Sequence, residues 1–232
     1  MKNLPEKCRV SDGVMGFDFS NIPFRRKLTA SDLHRMNIPS RYWGVRFEDI
    51  SEDIIRGTNK SPKDVIRNYI IHMEDMRRVG AGFVFWGQNG TGKSSISVVL
   101  AKEYRRRGYT VLFMEAADLK RMVSEREHFD EDETYWDRAK SVDVLILDDF
   151  GKGVIDGKGF GATLFDELIR ARNSRKLVTI ITSNPIVEEW EERFDLKSST
   201  IHVLKECTLP VEVVGCDKRG ESAKKLAAMI IN

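Results

Sequence analysis

Gly87-Gln88-Asn89-Gly90-Thr91-Gly92-Lys93-Ser94 follows the apolar run Phe83-Val84-Phe85-Trp86 and precedes a stretch of helical period that ends near Arg107. The octapeptide satisfies G-x-x-x-x-G-K-[ST], the Walker A pattern, at every fixed position. Each residue type answers a chemical need. Glycines let the backbone curl so that successive N–H groups point at one anion, and a helix starting near Gly92 turns its positive end toward the same place. Lys93 has the reach to contact the β- and γ-phosphates of ATP, and the Ser94 hydroxyl can ligate Mg²⁺. Gly87 through Ser95 are therefore read as the cofactor-binding loop. The bland alternative is a glycine-rich turn that binds nothing; a strand before the loop and an amphipathic helix after it argue against that.

The same alternation of strand and helix signals runs outward from the loop. Upstream, Ser61-Pro62 can cap and start a helix, with Val65, Tyr69, Met73 and Met76 at helical spacing. Downstream, Gly108 ends the loop's helix, and Thr110–Met114 reads as a second strand. Ala117–Glu127 reads as a helix, followed by an acidic connector over 130–133. Val142–Leu147 is a near-continuous apolar run, Phe160–Arg172 has helical period, and Leu177–Ile181 is another buried strand. A weaker strand, Pro210–Val214, and a terminal helix, Glu221–Ile231, complete the pattern. Strands that are apolar throughout, separated by helices, predict a parallel sheet covered on both faces: an α/β three-layer P-loop NTPase architecture. Residues 1–45 carry Pro5, Gly13, Gly16 and Pro23 with no sustained period, which predicts an N-terminal arm at 1–45 and an ATPase domain at 46–232.

A second motif belongs at the end of another buried strand, where ligands of open α/β sheets bind. Val144-Leu145-Ile146-Leu147-Asp148-Asp149 supplies it. As a Walker B element, Asp148 would hold Mg²⁺ and Asp149 would polarise the attacking water; the plain alternative is an Asp pair capping a loop. Asn184, after the strand ending at Thr182-Ser183, could orient water or the γ-phosphate, although Ser-Asn-Pro is also an ordinary turn signal.

Bulk properties bound the rest. The 232 residues allow one substantial core with a short appendage, and 41% hydrophobic with 32% charged residues suits a globular chain. A net charge of +2 is too small to argue for nucleic acid by itself, so any DNA surface must be a local patch. Three cysteines without metal-type spacing, no signal segment and no apolar run of about 20 residues lead to an expected cytoplasmic location without membrane contact.

The order and spacing of these pieces resemble the DnaC/IstB-like branch of the AAA+ ATPases, helicase loaders and transposition helper ATPases, over roughly residues 36–220. The likeness includes Asn37-Ile38-Pro39-Ser40-Arg41-Tyr42, the loop itself, Gly108-Tyr109-Thr110-Val111-Leu112-Phe113, the run to Asp149, and Thr182-Ser183-Asn184 followed by Trp190. The resemblance implies an oligomeric ATPase in which Asn184 is sensor 1 and Arg219 is the sensor-2 arginine, both counted with Lys93 and Asp149 as catalytic. It implies single-stranded DNA contact at Lys120 and Arg121, ATP-dependent self-association, and a replicative hexameric DNA helicase as partner. A transposition helper acting with a transposase on duplex DNA is the alternative within the family. Two features depart from the family pattern. Ser199–Lys205 has no arginine where a finger is expected, with Val203 in its place and Arg170, Arg172 or Arg193 as substitutes among which the sequence does not choose. Leu4–Ser11 resembles a zinc-cluster entrance with too few cysteines to close a site, so no zinc is expected. Lys102, Arg105, Arg106 and Arg107 read as a solvated helix end that complements the dipole.

Overall fold

The computed structural model describes residues 26–119, 134–151 and 160–215. Its elements begin where local chemistry dictates. Thr29 caps helix α1 (Ala30–Arg35), and Asp32 returns the bond to the Thr29 backbone. Ser61 and Asp64 form the same reciprocal pair at the start of α2 (Pro62–Ile71), with proline in the first turn. The expected single helix through Met76 is two, since α3 (Met73–Val79) restarts after His72. Strand β1 (Gly82–Trp86) leads into the glycine loop and α4 (Lys93–Arg106), followed by β2 (Val111–Glu115). Then come α5 (Tyr135–Ser141), β3 (Val144–Phe150), α6 (Phe160–Ser174) and β4 (Val178–Ser183). Two helices, α7 (Trp190–Phe194) and α8 (Ser198–Cys207), precede β5 (Thr208–Glu212).

The five strands form one sheet in the order β2-β3-β4-β1-β5, every neighbouring pair parallel. Strand residues alternate between two buried faces. Phe83, Phe85, Phe113, Ile146 and Ile180 pack with Ile66 and Ile70 of α2 and with Val99 and Tyr104 of α4. Val84, Leu112, Leu145, Leu147 and Ile181 pack with Trp136, Phe165, Leu168, Trp190 and Leu204 on the other side. This is the three-layer α/β arrangement, with its strand ends and the glycine loop along one rim. Among the described residues no helix is long and apolar enough to cross a membrane.

Four expectations need correction. Residues 26–45, assigned to the arm for want of a period, pack into the same core: Met36 is 1% exposed and Ile38 3%. The Met36 carbonyl accepts the Phe113 N–H and the Asn37 amide donates to the Phe113 carbonyl, so this segment covers the edge of β2. The basic end of α4 is paired and only partly solvated. Arg105 and Arg26 both reach the Asp32 carboxylate, Arg106 pairs with Glu103, and Arg107 donates to the Ile70 carbonyl. The Arg26 guanidinium first, then the Thr29 backbone N–H and hydroxyl and the Arg105 guanidinium, hold the Asp32 carboxyl well below the ordinary carboxylate range. Arg172 cannot serve as a finger: it is fully buried, donating to Thr179 Oγ1 and to the carbonyls of Ala139, Val142 and Val178. Finally, β3 runs three residues further than the apolar pattern, to Phe150, carrying Asp148 and Asp149 within it.

The helix expected over 117–127 falls mostly outside the described residues. So do Lys120, Arg121, Arg219, the Leu4–Ser11 segment and the terminal helix at 221–231.

Candidate functional site

The loop between β1 and α4 takes a conformation that its glycines permit. Gly87, Gly90 and Gly92 all have positive φ. At Gly87 φ is +139°, and a Cβ there would lie 2.6 Å from the Val213 carbonyl oxygen. Gly92 stands immediately before the first residue of α4 at φ +100°, turning the chain so that the helix starts at Lys93. Gln88 and Asn89 are exposed at the tip, while Thr91 is buried and ties its hydroxyl to the Gln88 carbonyl at 3.0 Å.

Lys93 is only 8% exposed. Its ammonium donates to the Gly87 carbonyl at 2.8 Å, the Gln88 carbonyl at 2.7 Å and Asn184 Oδ1 at 3.0 Å. The Asn184 backbone carbonyl accepts the Gly87 N–H at 3.2 Å, so residue 184 is bonded to the loop through both backbone and side chain. That follows from topology: β4 lies directly beside β1, with Trp86 opposite Ser183.

The aspartates come from the next strand along. Register between β3 and β4 passes from Leu147 opposite Ile181 to Phe150 opposite Ser183, a bulge with one extra residue on β3. Asp149 takes up this residue at φ +57°, a left-handed conformation rare for any side chain, and is exposed, whereas Asp148 is 3% exposed. Thr182 organises the pair. Its hydroxyl donates to Asp148 Oδ1 at 2.7 Å and accepts the Asp149 N–H at 2.8 Å. Burial raises the Asp148 carboxyl above its ordinary value, and the Asp149 charge adds to that; hydrogen bonds from Thr182 and Ser94 and the charge of Arg41 oppose it.

Lys93, Ser94, Ser95, Asp148, Asp149 and Asn184 thus meet along one cavity of about 760 Å³. The sequence reading missed Thr182, whose hydroxyl looks like any strand threonine. It also missed the opposing wall of Arg41, Tyr42, Val45 and Glu115. Arg41 lies 3.4 Å from Glu115 and over the Tyr42 ring at 4.8 Å. Of the substitutes for a finger, Arg170 is tied to Asp166 and Ser199, and Arg193 to Glu189 at 2.6 Å. Val203, in the finger's place, packs against the core, and Lys205 pairs with Glu188.

Comparison with known proteins agrees with this architecture. Over 111 residues the chain is 27% identical to the replicative helicase loader DnaC of Escherichia coli K12, covering 47% of this chain and 44% of that protein. It is 28% identical over 144 residues to a Sinorhizobium fredii protein described as an insertion sequence ATP-binding protein, y4uH, covering 62% and 56% respectively. The matches therefore span about half the length of these curated relatives. Among solved structures, that of the DnaC helicase loader superposes with a TM-score of 0.64 at 19% identity, over 76% of this chain and all of that one. The family model for IstB-like ATP binding proteins matches residues 74–226, well over half of the chain, which belongs to that family and so to the DnaC/IstB-like AAA+ ATPases.

Proposed function

We propose that the protein binds and hydrolyses Mg-ATP and uses it to assemble on DNA as a helicase loader. The observation that carries the ATP reading is the convergence of a buried lysine, two hydroxyls and two inequivalent aspartates on one cavity. The residues fit a triphosphate and its metal. The Lys93 ammonium already sits among oxygen acceptors at the head of α4, where phosphate oxygens can replace the loop carbonyls. The Ser94 hydroxyl and the buried Asp148 carboxylate, which line the same cavity, offer the hard oxygen donors that Mg²⁺ prefers. When bound, the metal would neutralise charge on the β- and γ-phosphates.

The two carboxylates divide the work by environment. Asp148, buried and held by Thr182, suits a fixed metal contact, directly or through water. Asp149, exposed and re-aimed by the bulge, is placed to accept a proton from the attacking water. Lys93 and Asn184 Oδ1 are in contact, so the lysine's position reports to the sensor residue. Arg219 is assigned the sensor-2 role, and Lys120 with Arg121 the contacts to single-stranded DNA, by resemblance alone. Arg193 and Arg170 are the exposed arginines near the finger's place, each held by an intramolecular carboxylate that a neighbouring subunit would have to displace. Hydrolysis is accordingly expected to be slow in the absence of a partner.

Similarity to DnaC supports a replicative hexameric helicase as partner, engaged by the residues before Arg26, with single-stranded DNA held by an ATP-dependent oligomer in the cytoplasm. Similarity to y4uH supports the second reading, a helper that acts with a transposase on duplex DNA. Steady-state phosphate release with and without single-stranded DNA tests the enzyme. Turnover in the parent, lost in Asp149→Asn with ATP binding retained, is the expected result; no turnover in the parent under any DNA condition would refute hydrolysis. Pull-down with a helicase against a transposase separates the two partners.

A further inference from the structure

Lys102 lies on the same helix as Lys93, nine residues later, and at 6% exposure it has no place in the phosphate chemistry. Its ammonium donates to the carbonyls of Tyr42 at 3.2 Å, Trp43 at 2.8 Å and Val45 at 2.7 Å. An ammonium has three donors, and these carbonyls take all of them. Two of the acceptors, Tyr42 and Trp43, close the short 3₁₀ turn Ser40–Tyr42, a helix end whose carbonyls carry partial negative charge; Val45 follows it. The segment so held is the wall of the nucleotide cavity: Arg41, Tyr42 and Val45 face the loop and the aspartates across it.

We infer that Lys102 is a positioning residue for nucleotide binding: it ties the 41–45 wall to the helix that begins at Lys93, so that one rigid element sets the distance between the phosphate loop and the wall facing it. This inference rests on the ATP reading above and deepens it. The wall does not depend on Lys102 to fold. Trp43 Nε1 donates to the Ile38 carbonyl at 2.8 Å, the Val45 N–H to the Tyr42 carbonyl at 3.2 Å, and Arg41 reaches Glu115. What Lys102 adds is registry. Without it the wall, still packed on the core through Tyr42, Trp43 and Val45, loses the ammonium contact that fixes its distance from the helix bearing the loop.

The test is Mg-ATP affinity, by calorimetry, of the full chain carrying Lys102→Met, Lys102→Arg, Tyr42→Ala, or Tyr42→Ala with Lys102→Met. Lys102→Met keeps the stem length and removes the donors; it should bind Mg-ATP about tenfold more weakly, with turnover at saturation little changed. Lys102→Arg should restore most of the affinity, which a purely packing role would not predict. Because Lys102 acts through the wall, the double variant should lose no more than the weaker-binding single one. Binding by Lys102→Met within about twofold of the parent, or losses that multiply in the double variant, overturns the inference while leaving the ATP reading intact. Should Lys102→Met fail to fold, Tyr42→Ala decides alone: parental affinity there means the wall does not matter. A parent that binds no Mg-ATP overturns both.

Discussion

Replacing Thr182 with valine probes the joint on which both aspartates depend. The hydroxyl donates to a buried carboxylate and accepts a backbone N–H, and valine keeps the branched shape while doing neither. A hydrogen bond to a charged acceptor contributes about 1.5–3 kcal/mol and a neutral one about 0.5–1.5 kcal/mol, so the variant should lose about 3 kcal/mol. For a chain of this size that corresponds to a fall in Tm of roughly 6–12 °C. Ser183→Ala is the internal control. It removes one neutral bond, to the Phe150 carbonyl at 2.8 Å, and should cost only about 1 kcal/mol. The pH dependence gives a second signature. Asp148 is raised above the ordinary carboxylate value when folded, so the native state holds its proton more tightly than the unfolded chain does. Stability from this group is therefore fullest at acid pH and is lost as pH rises through the folded pKa. Losing the Thr182 donor raises that pKa further, so the deficit of the variant relative to the parent should narrow from pH 7 toward pH 5. Urea unfolding at both pH values measures it, with phosphate release measured alongside. A variant as stable as the parent at pH 7, or a deficit that widens on acidification, would refute the reasoning.

Three further outcomes follow from the same geometry. Asp148→Asn should leave the nucleotide-free protein at least as stable as the parent, since a buried charge is removed, yet abolish the rise in Tm that Mg-ATP gives the parent; differential scanning fluorimetry with and without Mg-ATP checks both. Asp149→Gly should stabilise the fold by up to about 1 kcal/mol, because glycine takes the left-handed conformation at φ +57° without a Cβ clash, while turnover disappears. Arg172→Met should destabilise by at least about 3 kcal/mol, leaving the Ala139, Val142 and Val178 carbonyls without their donor, and the folded fraction should keep parental Mg-ATP affinity; a loss of affinity without a loss of stability would mean that Arg172 belongs to the site after all.

What the sequence made legible was whatever depends on near neighbours. Apolar runs such as Val144–Leu147 announce strands because a parallel sheet buries both faces, and the spacing of Gly87, Gly92 and Lys93 encodes a loop whose geometry is local. Cross-chain relations were not visible. Lys102 and Arg172 read as solvated or catalytic cations, yet both are buried because carbonyls far along the chain converge on them; for Lys102 these lie 57 to 60 residues away. The bulge at Asp149 needs β4 alongside and the Thr182 hydroxyl in register, neither of which an Asp-Asp pair reveals. Segment 36–45 has no period because its side chains fill an irregular edge beside β2, so lack of pattern concealed packing that its buried Met36 and Ile38 make plain.

A crystal structure of the protein with Mg²⁺ and a non-hydrolysable ATP analogue decides whether one cavity holds the triphosphate and its metal. Phosphate oxygens should lie on the amides of residues 87–95 and on the Lys93 ammonium, with the metal within reach of Ser94 and Asp148. Nucleotide bound elsewhere, or bound with Lys93 still donating to the Gly87 and Gln88 carbonyls, would contradict this placement.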